Sequence, residues 1–310
     1  EIELRQISLE MPIELGEEDR IFVNGFQSWT ESREFAQHEK ISCLAWPARL
    51  LLWPYGDYSL YRYPGKPGRF HGWTYSYIGQ GGSIELFASL SERDGYTLFE
   101  YDCPQKTLRI SRDCSGLRIK EPYSGLDFVC LSGAPDDVFD AYFRAYYDVQ
   151  GLTPTIAPPL TGWTSWNNHS TGVSMEVVEK NLESFTNAGA PIDLLQVDNG
   201  WQAAVGDWTE AKSKFPDGMA AVVRAVKSMP GSTKAGIWLA PFVCEKKSEV
   251  FRNHRDWVLK DKRGKIVRAG LNSNWSGFFY ALDFQNEGLK EYLRSVFKTI
   301  FTEWGFDFVK

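Results

Sequence analysis

The feature that most constrains this chain is a change of rhythm across Thr153-Pro154-Thr155-Ile156-Ala157-Pro158-Pro159. Before these prolines, short aromatic and β-branched runs recur between turn signals. After them, strand-like and helix-like segments alternate. The reading is therefore of two folded regions joined by a proline-stiffened linker: 1–150, 151–159 and 160–310. A length of 310 residues suits about two domains.

In the first region the strand candidates are Ile21-Phe22-Val23, Leu50-Leu51-Leu52-Trp53, Thr74–Ile78, Ile84–Phe87, Tyr96–Phe99, Leu108-Arg109-Ile110, Leu117-Arg118-Ile119 and Phe128-Val129-Cys130. Asn24-Gly25, Pro64-Gly65, Gly81-Gly82 and Asp94-Gly95 supply tight turns between them. Many short strands at this spacing predict an antiparallel β-sandwich. Apolar residues at Val138, Phe139, Tyr142, Phe143 and Tyr146 predict a helix over Pro135–Tyr147.

The second region carries strand candidates at Leu160–Trp166, Leu194–Asp198, Lys234–Pro241 and Phe306–Lys310. Helices are expected at Ser174–Ala188, Gly218–Ser228, Lys247–His254 and Glu287–Trp304, the first with Ser174 as N-cap and Gly189 just past its end. Repeated β-α units imply a parallel sheet, either a barrel or an open sheet. At about 150 residues, against about 250 for a (β/α)8 barrel, the region supplies about half a barrel. The closing run Phe306–Lys310 has no turn after it, and a domain stopping there would leave a raw strand edge, so the chain is expected to be cut short.

Candidate ligand groups gather at the C-terminal strand ends, which in a barrel line one mouth. They are Trp166, then Asp198-Asn199-Gly200-Trp201, then Trp238, then Lys310. Asp and Asn oxygens accept from hydroxyls, an ammonium donates back, and indole faces cover C–H surface, a mix suited to a polyhydroxylated ligand. Duller roles compete. Trp166 and Trp238 can be packing, while Asp198 and Asp207 can open turns. Lys310 on an apolar strand needs a partner. Arg252, Arg255, Lys260, Lys262, Arg263, Lys265 and Arg268, interrupted by Asp256 and Asp261, read as a solvated face; Trp257 reads as core, and Asp283 as help for the start of the following helix.

Composition narrows the function classes. Aromatic residues make up 15% of the chain, with twelve tryptophans, a bias suited to ring-shaped ligands such as sugars. A net charge of −6 argues against nucleic acid, and no apolar run is long enough for a membrane span. The five cysteines lack a C-x-x-C spacing and read as reduced thiols in a cytoplasmic protein, with a Cys103–Cys114 disulfide as the lesser alternative. Four scattered histidines offer no zinc pattern.

The motif series Gly162-Trp163-Thr164-Ser165-Trp166, Gln196-Val197-Asp198-Asn199-Gly200-Trp201, Gly206-Asp207-Trp208, Phe215-Pro216, Gly236–Pro241, His254–Val258, Tyr280–Asp283 and Phe308-Val309-Lys310 resembles the bacterial α-galactosidases (melibiases) of glycoside hydrolase family 36. Asn24-Gly25-Phe26-Gln27-Ser28-Trp29 resembles that family's sandwich domain. The resemblance implies a β-sandwich followed by the first half of a (β/α)8 barrel, and a retaining two-carboxylate hydrolysis needing neither metal nor organic cofactor. It places the nucleophile two residues beyond Lys310 and the acid/base later. It assigns substrate contact to Trp166, Asp198, Trp238 and Lys310, and the expected contact set also takes in Asn199, Trp201, Asp207 and Trp208. Asn199 departs from the usual Asp, and Asn167 from the usual aromatic residue. The expected ligands are α-galactoside oligosaccharides. Sandwich loops around Trp29 or Trp53 are in reach of the mouth of the same or a neighbouring subunit, so a homo-oligomer is compatible. Alternatives are a galactosyl-transferring raffinose-synthase-like enzyme, an α-N-acetylgalactosaminidase, a carbohydrate-binding pseudoenzyme, and a lyase using Lys310 as a Schiff-base amine.

Overall fold

The structure, a computed structural model of the chain, describes residues 2–26, 30–45, 47, 48, 57, 60–93, 95–155 and 157–310. The expected strand Leu50–Trp53, the turn residue Asp94 and the motif residues Gln27, Ser28 and Trp29 lie outside them. The chain forms two compact units, residues 1–156 and 157–310.

The first unit contains β1 (Ile2–Pro12), β2 (Arg20–Val23), β3 (Arg33–Ala36), β4 (Arg69–Trp73), β5 (Tyr75–Gln80), β6 (Ser83–Ser89), β7 (Thr97–Asp102), β8 (Thr107–Ile119), β9 (Phe128–Gly133) and the helix α1 (Pro135–Gln150). They build a four-stranded sheet in the order β1-β8-β7-β4 and a five-stranded sheet in the order β3-β2-β5-β6-β9, both antiparallel. Period-two alternation explains the packing. Ile21, Val23, Phe35, Ile78 and Phe87 from one sheet meet Phe70, Phe99, Tyr101, Leu108 and Ile110 from the other in a single core. The opposite face of β6 presents Ile84, Leu86 and Ala88 to Val138 and Tyr142 of α1. The helix starts with Pro135 at its first turn and ends on Gly151 at φ 63°, three residues later than the periodicity suggests.

Two departures from the sequence reading have a shared cause. Leu108–Ile110 and Leu117–Ile119 belong to one strand, β8, and β1 was not anticipated. In the β1–β8 ladder Leu4 pairs with Leu117 and Gln6 with Asp113, so Cys114, Ser115 and Gly116 bulge opposite Arg5. Gly116 takes φ 89° there. A bulge shifts the inward parity, and the alternation then looks like two short strands. Gly81-Gly82 makes the expected hairpin turn, both residues at positive φ between Gln80 and Ser83. Asn24-Gly25 does not. Asn24 instead bridges to the β4–β5 corner, donating to the Tyr75 carbonyl and accepting from the Trp73 N–H.

The second unit contains β10 (Gly162–Thr164), α2 (Trp166–His169), α3 (Met175–Ala188), β11 (Leu194–Val197), β12 (Gln202–Ala204), β13 (Asp207–Ala211), α4 (Met219–Lys227), β14 (Lys234–Ile237), β15 (Val243–Glu245), α5 (Glu249–Asn253), β16 (Arg268–Asn272), β17 (Gly277–Ala281), α6 (Glu287–Lys298) and β18 (Phe308–Val309). Four strands form a parallel sheet in the order β10-β11-β14-β18. Strand order follows chain order without reversal, so each crossover moves one strand in the same sense. That is the winding of a (β/α)8 barrel; a doubly wound sheet reverses at a switch point. The sandwich followed by half-barrel architecture expected from the sequence is what the chain adopts.

Local chemistry explains the helix ends. Ser174 accepts from Val177 N at 3.3 Å and Gly189 closes α3 at φ 60°. Asn286, not Asp283, caps α6, accepting from Leu289 N at 3.2 Å. Asp283 accepts from Gln285 N one turn earlier. Trp257, expected in the core, is partly buried against it. Two excursions from the parallel sheet were not anticipated: the β12–β13 hairpin, and a three-stranded antiparallel sheet in the order β15-β17-β16. The helix expected over Lys247–His254 is only the short α5 within the second excursion.

Candidate active site

The C-terminal ends of the parallel strands converge on Asp198. Its side chain is 4% exposed and Lys310 Nζ donates to its Oδ2 at 2.7 Å. These residues follow β11 and β18, which are separated by β14, so the contact spans two strand spacings, about 9.5 Å. The long lysine stem makes that reach, and half of its side chain remains in solvent.

Neighbouring groups fix both the backbone and the carboxylate of Asp198. Ser165, fully buried at the end of β10, accepts from Asp198 N at 2.9 Å through its hydroxyl. Gln196 Nε2 donates to Oδ2 at 3.2 Å and Asn199 N to Oδ1 at 2.8 Å. Thr164 Oγ1 donates to Gln196 Oε1 at 2.6 Å and so orients that amide. A carboxylate with several fixed donors stays in one rotamer, ready to accept from a ligand hydroxyl on its free side. Trp238 sits between the pair in the ladder: its N–H donates to Val197 O at 2.9 Å, and Leu239 N to Lys310 O at 3.0 Å. Its ring is half-buried.

Asn199 is buried beside Asp198, with its Oδ1 accepting from Gln202 Nε2 at 2.7 Å. Gly200 follows at φ 125°, where a Cβ would come within 2.7 Å of the Thr171 backbone. Trp166 opens α2 directly after β10, half-buried, and Asn167 beside it is exposed.

The other expected contacts fall elsewhere. Trp201 and Trp208 are completely buried, their rings 6.2 Å apart, and Trp201 Nε1 donates to the Trp238 carbonyl at 2.9 Å. A direct sugar contact is corrected for both: they are packing residues beneath the site. The β12–β13 hairpin folds them inward, which no local pattern signals.

Asp207 has its own set of partners. Its carboxylate accepts from Glu249 N at 3.0 Å and Val250 N at 3.3 Å, capping α5. A cavity of about 140 Å³ lies beside it, with Trp257 in its wall. One face of Trp257 stacks on His254 at 3.7 Å and the ring also packs near Tyr292 at 5.6 Å, so no open indole platform is offered to a sugar there. Among the described residues no group of three or more His, Cys, Asp or Glu side chains is placed to hold a metal ion.

Burial is the largest influence on the Asp207 carboxyl and raises its pKa, against the two N–H donors that lower it. A raised folded-state value means that this group's stability contribution is complete at low pH and is lost as pH rises through the folded pKa. Asp207→Asn cannot ionise, so its stability relative to the parent is expected to improve between acidic and neutral pH. Urea midpoints across that interval check it; a relative loss on going to neutral pH would contradict the assignment.

Comparison with known proteins now adds to this geometry. The family model for melibiases matches residues 166–310. The α-galactosidase of Escherichia coli is 27% identical over 150 residues, covering 46% of this chain and 19% of that protein. The α-galactosidase of Thermus thermophilus, solved with p-nitrophenyl α-D-galactopyranoside, superposes with a TM-score of 0.74 at 26% identity, covering 98% of this chain and 56% of that one. The fold is also that of the Geobacillus stearothermophilus enzyme AgaA, with a TM-score of 0.61 at 14% identity over 97% of this chain and 41% of that one. The chain thus spans about half the length of these solved relatives. Among the described residues no helix is long and apolar enough to cross a membrane. The motif series, the sequential parallel sheet and the matches agree: the chain is similar to α-galactosidases and matches the melibiase family model over residues 166–310.

Proposed function

We infer that the complete protein is a retaining α-galactosidase that removes terminal α-linked galactose from oligosaccharides. The observation that carries this reading is the Asp198–Lys310 pair beside Trp238 at the ends of three neighbouring parallel strands. In the proposed mechanism Asp198 accepts from two sugar hydroxyls, O4 and O6, while Lys310 donates to a ring hydroxyl. Trp238 and Trp166 cover the C–H faces. These contacts orient the anomeric carbon toward an aspartate two residues beyond Lys310. That aspartate forms the glycosyl-enzyme intermediate, and a second carboxyl group about 5–5.5 Å away first protonates the leaving oxygen and then activates water. Asn199 gives the sugar an amide donor in place of the family's second carboxylate, since its Oδ1 is already taken by Gln202.

The test is turnover of p-nitrophenyl α-galactoside by the complete gene product, with proton NMR of the anomer formed first. Release of α-galactose is expected. Release of the β-anomer, preferential transfer to a sugar acceptor, or sugar binding without turnover would each replace this reading with another. Residues 1–310 alone are expected to bind galactose without releasing nitrophenol.

A further inference from the structure

We propose that Trp275 is a positioning residue that holds the Trp238 ring in place and thereby sets how tightly the apolar face of the sugar is gripped; this rests on the reading of Trp238 as a sugar wall. Trp275 lies in the β16–β17 turn, and nothing in the motif series points to it.

The half-buried Trp238 ring is flanked by two indoles. Trp208 approaches at 5.8 Å with the rings at 70°, and Trp275 at 6.3 Å with the rings at 53°. Trp275 is braced in turn by Phe279 of β17, edge-on at 4.8 Å and 74°. Phe279 lies over Gly270 of β16, where a Cβ would come within 2.6 Å of its ring. A line of support therefore runs Gly270, Phe279, Trp275, Trp238, from the antiparallel excursion to the end of β14. The turn itself is polar: Ser273, Asn274 and Ser276 are exposed while Trp275 alone among these neighbours turns inward.

The indole N–H groups carry the argument further. Trp201 and Trp73 satisfy theirs, on the Trp238 carbonyl and on Asp57. Trp208 Nε1 and Trp275 Nε1 are buried and have no hydrogen-bond acceptor among the described residues. An unpaired buried donor is unfavourable, and a phenyl or aliphatic side chain would fill space without it. Tryptophan at both places beside the same ring points to a need for large, rigid neighbours in tilted or edge-to-face contact, which restrict that ring to one rotamer. A wall already fixed in the unliganded protein loses less freedom on binding.

The experiment uses protein labelled with 5-fluorotryptophan, with the Trp238 fluorine signal assigned through Trp238→Phe, and galactose as the probe. Trp275→Ala is expected to broaden or split the Trp238 signal and to weaken galactose binding about tenfold. Trp275→Phe is expected to restore a single signal and bring affinity within about threefold of the parent. In the complete gene product KM should rise with kcat nearly unchanged, the sign of lost uniform binding. Should Trp275→Ala not fold, Trp275→Leu carries the same measurements.

An unmoved Trp238 signal in the Ala or Leu variant would overturn the proposal whatever the sugar does. Affinity lost in Trp238→Phe but untouched in Trp275→Ala would overturn it too, while leaving Trp238 as the wall. Failure of the unsubstituted protein to bind galactose would instead remove the underlying reading, and this proposal with it.

Discussion

Asp198→Ala is expected to weaken galactose binding by about 3 kcal/mol, roughly a hundredfold, and to lower kcat/KM by at least as much. Hydrogen bonds to an ionised acceptor contribute about 1.5–3 kcal/mol each, and the proposed contact makes two of them. The substitution also frees Lys310, whose ammonium now rests 2.7 Å from the carboxylate. Because about half of that lysine side chain is in solvent, its charge is rehydrated at little cost, so the fold should lose far less than the site does. Asp198→Asn separates charge from shape: it keeps an acceptor, and Gln196, Ser165 and Asn199 still surround it. Its loss in affinity should fall between those of the parent and the alanine variant. Lys310→Met gives the reciprocal case, and a double-mutant cycle with Asp198→Ala should show coupling, since the two groups touch. Calorimetric titration with galactose measures the parent and all four variants. Affinity unchanged in Asp198→Ala would remove this carboxylate from the sugar site.

That this pair could be expected from sequence alone has a physical basis. A strand in a parallel sheet is buried on both faces, so it appears as an apolar run, and the first polar residue after it sits at the C-terminal rim. Asp198 and Lys310 are legible by that rule, and so is their nearness at one rim, because strands that follow chain order stand only one strand apart, within reach of a lysine stem. What periodicity cannot show is where a non-repeating segment sends a side chain. Trp201 and Trp208 follow the rim in sequence, yet the β12–β13 hairpin turns both into the core. Asp207 lies in the same hairpin and ends up capping α5, a role that depends on a helix about forty residues away. Trp275 was invisible for the same reason: its partners Trp238 and Phe279 are brought to it by a small sheet whose strands include the unpromising run Arg-Ala-Gly-Leu-Asn. In the sandwich, the three-residue bulge opposite Arg5 hid the continuity of β8. Regular burial is local information, whereas bulges, hairpin insertions and caps are decided by what lies across the fold.

The inward turn of Trp201 predicts a second large effect, on stability and not on affinity. Its side chain is fully buried, its ring meets Trp304 edge-on at 5.9 Å, and its N–H is paired with the Trp238 carbonyl. Trp201→Ala removes a large buried volume and should cost about 3–5 kcal/mol of unfolding free energy. Trp201→Phe loses the hydrogen bond and part of the ring, and should cost about 2 kcal/mol. Neither change removes a group that a sugar touches, so the phenylalanine variant should bind galactose within about threefold of the parent, a difference of about 0.65 kcal/mol. Trp238→Phe should show the opposite profile. Its ring is only partly buried, so the fold gives up less than at Trp201, while the sugar loses part of its wall. Urea unfolding and galactose titration on the same samples read both axes. If Trp201→Phe instead kept its stability and lost tenfold or more in affinity, the indole would have to face the ligand, and the hairpin's packing role would pass to other side chains.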